Sequence, residues 1–133
     1  MPWDRVCAEA HLEELATRHD IQLIWTDKPE CAYSRHRIVW IRKPYSPESY
    51  LGALHELGHV VSPRARKHEA RWDRGRNKVV EYDDELLMEA AAWAWAAWHM
   101  LPELADTIPA RTWKLVGGYL SGYIAQVRDQ HIG

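Results

Sequence analysis

The sequence is expected to fold as an α+β protein, with a small two- to three-stranded sheet packed on about four helices. Three observations lead there. Apolar residues recur at helical spacing in four segments, each opened by a capping residue or a proline. Short runs rich in β-branched and aromatic residues, at 21–25, 32–34 and 38–41, are bounded by turn formers. The chain has 133 residues, 47 % hydrophobic and 27 % charged, which suits a single domain spanning 1–133 with a real core.

Taken in order, Pro2-Trp3-Asp4 opens the first helix, with Asp4 as the N-cap. Val6, Ala10, Leu12, Leu15 and Ala16 give it an apolar stripe that ends near His19-Asp20. The three candidate strands follow. Their connections are too short for crossover helices, so an antiparallel sheet is expected. Ser46-Pro47 combines a capping side chain with a proline at the first helical position, which starts a helix running from Pro47 to about Val61. Ser62-Pro63 stops it. Residues 64–81 are charged and contain Gly75, and are expected to form a loop with at most a short element. Asp83 or Asp84 caps a helix reaching about Met100, closed by Pro102. A last helix starts near Thr107-Ile108-Pro109 and continues toward Gln130, with Trp113, Val116, Leu120, Ile124 and Val127 along one face. Gly117, Gly118 and Gly122 either weaken that helix or permit close packing.

Composition removes several function classes. A net charge of −2 gives no electrostatic footprint for nucleic acid. The basic stretch Arg64, Arg66, Lys67, Arg71, Arg74, Arg76 and Lys78 is balanced by Glu81, Asp83, Asp84 and Glu85, and reads as a solvated segment. Cys7 and Cys31 lack CxxC spacing, so a disulfide framework is not expected and a reducing compartment is. No signal peptide opens the sequence, and its longest apolar stretch, Ala90 to Met100, is too short to span a membrane. A cytoplasmic protein is the expectation. Eight tryptophans and no phenylalanine mean that tryptophan fills the large core positions.

The chemistry concentrates in His55-Glu56-Leu57-Gly58-His59. Residues four apart share a helix face, so His55 and His59 can offer two imidazole nitrogens to one metal ion. Glu56 lies about 60° round the helix from His59, outside ligand reach but able to take a proton from water activated by the metal. Zn2+ suits this pattern because it lowers the pKa of such water toward about 7. Glu56 then serves as base toward water and as acid toward a leaving amine. A catalytic zinc site normally has a third protein ligand. His68 lacks the glycine of metzincin spacing, and Cys31 lacks the accompanying motifs of peptide deformylases. Glu85 and Glu89 remain, four apart on the face that continues into Ala92 and Ala96, where small residues allow close helix approach. Glu85 also suits a first-turn acid stabilised by the helix dipole, or a carboxylate that orients a ligand histidine.

The segment 54–59, followed by Glu89-Ala90-Ala91-Ala92-Trp93-Ala94 and Met100-Leu101-Pro102, resembles the ImmA/IrrE family of metallopeptidases over about residues 5 to 102. The resemblance implies a minimal zincin-like (gluzincin-like) fold, with zinc on His55, His59 and Glu89 and with Trp93 in the place of the family's aromatic. It also implies a cytoplasmic endopeptidase of phages or mobile elements that cleaves a helix-turn-helix repressor.

The expectation is therefore a zinc endopeptidase acting on an intracellular regulatory protein, with Glu56 catalytic. The alternative is a metal-bearing interaction module or a toxin-like host-modulating factor. An extended substrate needs a sheet edge, which residues 37–41 or 32–34 would supply. Tyr82, Tyr33, His36 and His99 are candidate oxyanion stabilisers, none favoured over the others.

Overall fold

The computed structural model describes residues 3–74 and 81–118, with the backbone alone at 71–74 and 81–85. Helix α1 (Arg5–Arg18) begins where Asp4 Oδ1 accepts the Cys7 N–H at 3.0 Å, the expected cap. Its Ala8, His11, Leu12, Leu15 and Ala16 are buried one above another along a single face.

Strands β1 (Gln22–Trp25), β2 (Cys31–Tyr33) and β3 (Ile38–Ile41) form a three-stranded sheet in the order β1-β3-β2. The sheet is mixed, which corrects the antiparallel expectation. β2 and β3 pair antiparallel, with Tyr33 opposite Ile38, whereas β1 and β3 run parallel, with Gln22 opposite Ile38. The short links argue against a crossover helix, but here β2 itself carries the chain back before β3 enters between the other two. Residues 26–30 need only pass the end of one strand, a gap of roughly 10 Å. Two non-glycine residues with left-handed backbone, Asp20 and Arg37, stand at the turns before β1 and β3. The Arg37 side chain ties those turns together by donating to the carbonyls of His19 and Asp20.

Helix α2 (Pro47–Val61) matches its expected bounds, and Ser46 and Ser49 cap each other reciprocally. Ser62-Pro63 ends α2 but also starts α3 (Pro63–Arg74), where a loop was expected. The Ser62 hydroxyl accepts the Ala65 N–H at 3.2 Å, repeating the Ser-Pro opening of α2. The charge of this segment hides its helical pattern, because its buried contacts rest on small or polar residues. Ala65 packs into a second core with Leu87, Ala90, Ala91 and Ala92. Helix α4 (Glu81–His99) already includes Asp83 and Asp84, so neither caps it. A short α5 (Pro102–Ala105) precedes α6 (110–118), which starts just after Pro109, close to the expected Thr107-Ile108-Pro109. Residues 119–133, including Leu120, Gly122, Ile124 and Val127, lie outside the described residues. An added Cβ at Gly117 or Gly118 meets nothing within 4 Å, so close packing is not their purpose among the described residues.

The main core joins α1, β3, α2 and the end of α4 through Leu12, Leu15, Val39, Ile41, Leu54, Leu57 and Ala96. Trp95 is buried there and Trp3, Trp25, Trp93 and Trp113 pack against it half-buried, while Trp98 is 85 % exposed. Among the described residues no helix is long and apolar enough to cross a membrane.

Tyr50 crosses this core on α2. Burial pushes its phenol well above the ordinary value, so it stays protonated. Its oxygen accepts the Leu101 N–H at 3.1 Å and its proton serves His11 Nδ1 at 2.7 Å, linking α2 to α1 and to the α4–α5 corner. Tyr50→Phe leaves both partners unpaired. It should cost about 1–3 kcal/mol, read as a lower urea midpoint at unchanged m-value.

Burial also holds His11 and His19 below their ordinary pKa of 6.5. The unfolded chain then takes up these protons at higher pH than the native one. Stability is fully present above about pH 6.5 and is lost as the pH falls below it. Urea midpoints measured down this range should decline, and His11→Gln should flatten the decline.

Candidate metal centre

Helix α2 packs its His55/His59 face against α4, and one contact sets the spacing. A Cβ built on Gly58 would lie 2.6 Å from the Ala92 carbonyl oxygen and 3.2 Å from Ala92 Cα. Glycine is therefore required on α2, opposite a small residue on α4. The close approach lets Glu89, one turn before Trp93 on α4, reach both histidines. Glu89 Oε2 lies 2.9 Å from His55 Nε2, and Oε1 lies 3.3 Å from His59 Nε2.

His55, His59 and Glu89 form the group of metal-capable side chains found among the described residues, with donor atoms all within 4.8 Å of one another. Both imidazoles are 11 % exposed at the side chain and Glu89 is 38 % exposed, so the cluster is most open at the carboxylate. His55 Nε2 is buried without a well-formed hydrogen bond. A buried ring nitrogen and a carboxylate facing each other fit a shared cation, and the donor set of two imidazoles and one carboxylate suits a borderline divalent metal.

The surrounding charges form one system. Burial holds His55 below its ordinary value, against the pull of Glu89. Burial alone would lower His59 too, but Glu89, Glu56 and Glu69 outweigh it and hold that imidazole above its ordinary value. Burial raises Glu89, yet the two histidines dominate and keep it well below the usual carboxylate range. Glu56 is pushed up to about 7, first by burial and further by Glu30 and Glu89, with His59 opposing. Glu30 comes from the β1–β2 link and accepts the Arg42 N–H at 3.0 Å. It lies over Gly52, whose missing side chain makes room for it.

The two expected histidines and Glu89 are thus brought together. Glu85 is one turn nearer the start of α4, and its side chain, like that of Tyr82, lies outside the described residues. His68 is buried in α3 and is not in the cluster. Cys31 is exposed on β2, unbonded to Cys7. Tyr33 packs edge-on against Trp40 and His36 is exposed in the turn after β2. His99 stacks on Trp95 and bonds its carbonyl at 2.9 Å. Of the two suggested sheet edges, β3 is central and therefore excluded, while β2 is an edge strand. Beside β2 lies a cavity of about 210 Å³ lined by Ala32, Tyr33, Ser34, Arg35, His36 and Glu69.

The sequence offered no signal for Glu30 or Glu69, which act through space from distant segments. Trp93 stacks on the His55 ring at 3.9 Å and 10°. Its place four residues after Glu89 was a signal for that contact. No protein-family model, curated protein or solved structure matches the chain.

Gly58→Ala tests the helix approach. The added methyl has to displace backbone, so the variant should lose about 1–3 kcal/mol of stability in urea unfolding. By moving Glu89 away from the histidines it should also weaken divalent-metal binding by about tenfold or more in chelator competition.

Proposed function

We propose that the protein is a zinc-dependent endopeptidase with a minimal zincin-like fold. The observation that carries this reading is the convergence of His55, His59 and Glu89 on one point, with Glu56 next to His55 on the same helix. His55, His59 and Glu89 would hold the metal. A zinc ion in such a site supplies Lewis-acid polarisation and makes water a nucleophile near neutral pH. Glu56 takes a proton from the attacking water and delivers it to the leaving amide nitrogen, so one carboxylate fills both roles. β2, an edge strand among the described residues, would offer backbone N–H and C=O groups to an extended peptide.

The resemblance to ImmA/IrrE metallopeptidases supports a substrate among intracellular regulatory proteins, such as a helix-turn-helix repressor. The competing class is a metal-bearing interaction module, in which partner binding suffices without cleavage.

Purified protein should carry about one zinc per chain, and His55→Ala should lose it. Glu56→Gln should keep the metal while peptide-bond hydrolysis falls by about 10²-fold or more. Zinc analysis, with mass spectrometry of candidate repressors after incubation, reads both. Metal-free wild-type protein would sink the reading, and a Glu56→Gln protein with full biological effect would move it to the interaction class.

A further inference from the structure

Helix α4 brings a second group to His55 besides Glu89. The Trp93 indole lies parallel to the His55 imidazole, with ring centroids 3.9 Å apart and planes 10° apart. His59 stands close on the same helix as His55, its ring centroid 4.7 Å away and tilted by 50°. Glu89 approaches His55 at its Nε2. The imidazole is thereby covered on one face and met at its ligating nitrogen by two side chains of a single α4 face, spaced one turn apart.

The geometry points to Trp93 as the positioning residue of the candidate metal centre: its indole holds the His55 ring in the orientation that aims Nε2 at Glu89, with which it would share a metal. Trp93 itself contributes no donor atom toward the metal, since indole carries only an N–H. Its effect is on the freedom of the ring. An imidazole on a helix can turn about two side-chain torsions, and each alternative orientation it keeps must be given up when a metal binds. A flat aromatic surface in parallel contact removes those alternatives beforehand. The effect also works in the opposite direction. A metal draws electron density out of the imidazole, and an electron-poor ring is held more tightly by an indole face. Stack and metal therefore stabilise each other, a coupling that must be reciprocal. Helix α4 thus uses both its register and its spacing: one turn carries Glu89, the next carries the flat ring behind His55.

This inference rests on the metal-centre reading, and three variants separate the two. Zinc affinity is measured by chelator competition for wild type, Trp93→Phe, Trp93→Leu and Trp93→Ala. The visible absorption of each Co2+ form reports ligand geometry. Urea unfolding of the metal-free proteins reports packing. Trp93→Phe keeps a flat ring and should stay within a few-fold of wild type. Trp93→Leu fills the space without a flat face and should bind zinc about tenfold or more weakly, with altered Co2+ bands. Equal zinc affinity and identical Co2+ spectra for the phenylalanine and leucine variants would overturn the inference, whatever their stability. Should Trp93→Ala fail to fold, the phenylalanine–leucine comparison still decides. A wild-type protein that binds no divalent metal would instead overturn the metal-centre reading itself.

Discussion

The contact of Gly58 with Ala92 governs the distance between α2 and α4, and almost every feature of the candidate site depends on that distance. A glutamate side chain has limited reach. It meets two imidazoles on a neighbouring helix only when the backbones approach closely, and here a methyl group at residue 58 would strike the Ala92 carbonyl. The same approach lays Trp93 flat on His55. Around it, Ala90, Ala91 and Ala92 keep the α4 surface low enough for α3 to pack there as well. Small residues on α4 thus do two jobs: they build a core with little volume and bring a carboxylate to the histidines.

Close packing would be of little use if the polar groups it buries were left unsatisfied. Tyr50 resolves one such problem by accepting from Leu101 and serving His11, which fixes the corner where α4 turns into α5. The carboxylates near His59 represent a different balance. Glu56, Glu69 and Glu89 all act on it, and Glu30 adds to the negative field at Glu56. Glu89 and His59 hold each other charged while Glu56 is buried beside like charges, and such an excess of carboxylates around two imidazoles suits a cation better than it suits a purely structural helix pair.

Residues legible in the sequence were those whose partners are close along the chain. Asp4 and Ser46 cap the helices they precede, the α2 bounds follow from Ser46-Pro47 and Ser62-Pro63, and β3 spans its expected residues. Ser62-Pro63 was legible as an end but not as a beginning, because the helix after it buries Ala65 and His68 rather than a row of large apolar residues. The sheet was legible as two or three strands but not in the parallel pairing of β1 with β3, since neighbours in a sheet are chosen by packing and not by proximity in sequence.

By itself, the sequence determined the pair His55 and His59 on one helix face and the neighbouring Glu56, because helical periodicity is a local property of the backbone. It also narrowed the third member to two glutamates one turn apart. Tertiary structure decided that Glu89 reaches both histidines, that β2 and not β3 is an edge strand among the described residues, and that Trp93 backs His55. Those outcomes depend on the separation of α2 and α4 and on the insertion of β3 between its neighbours. Neither is encoded in any one stretch of chain, since each results from surfaces far apart in sequence finding the packing that leaves the least space between them.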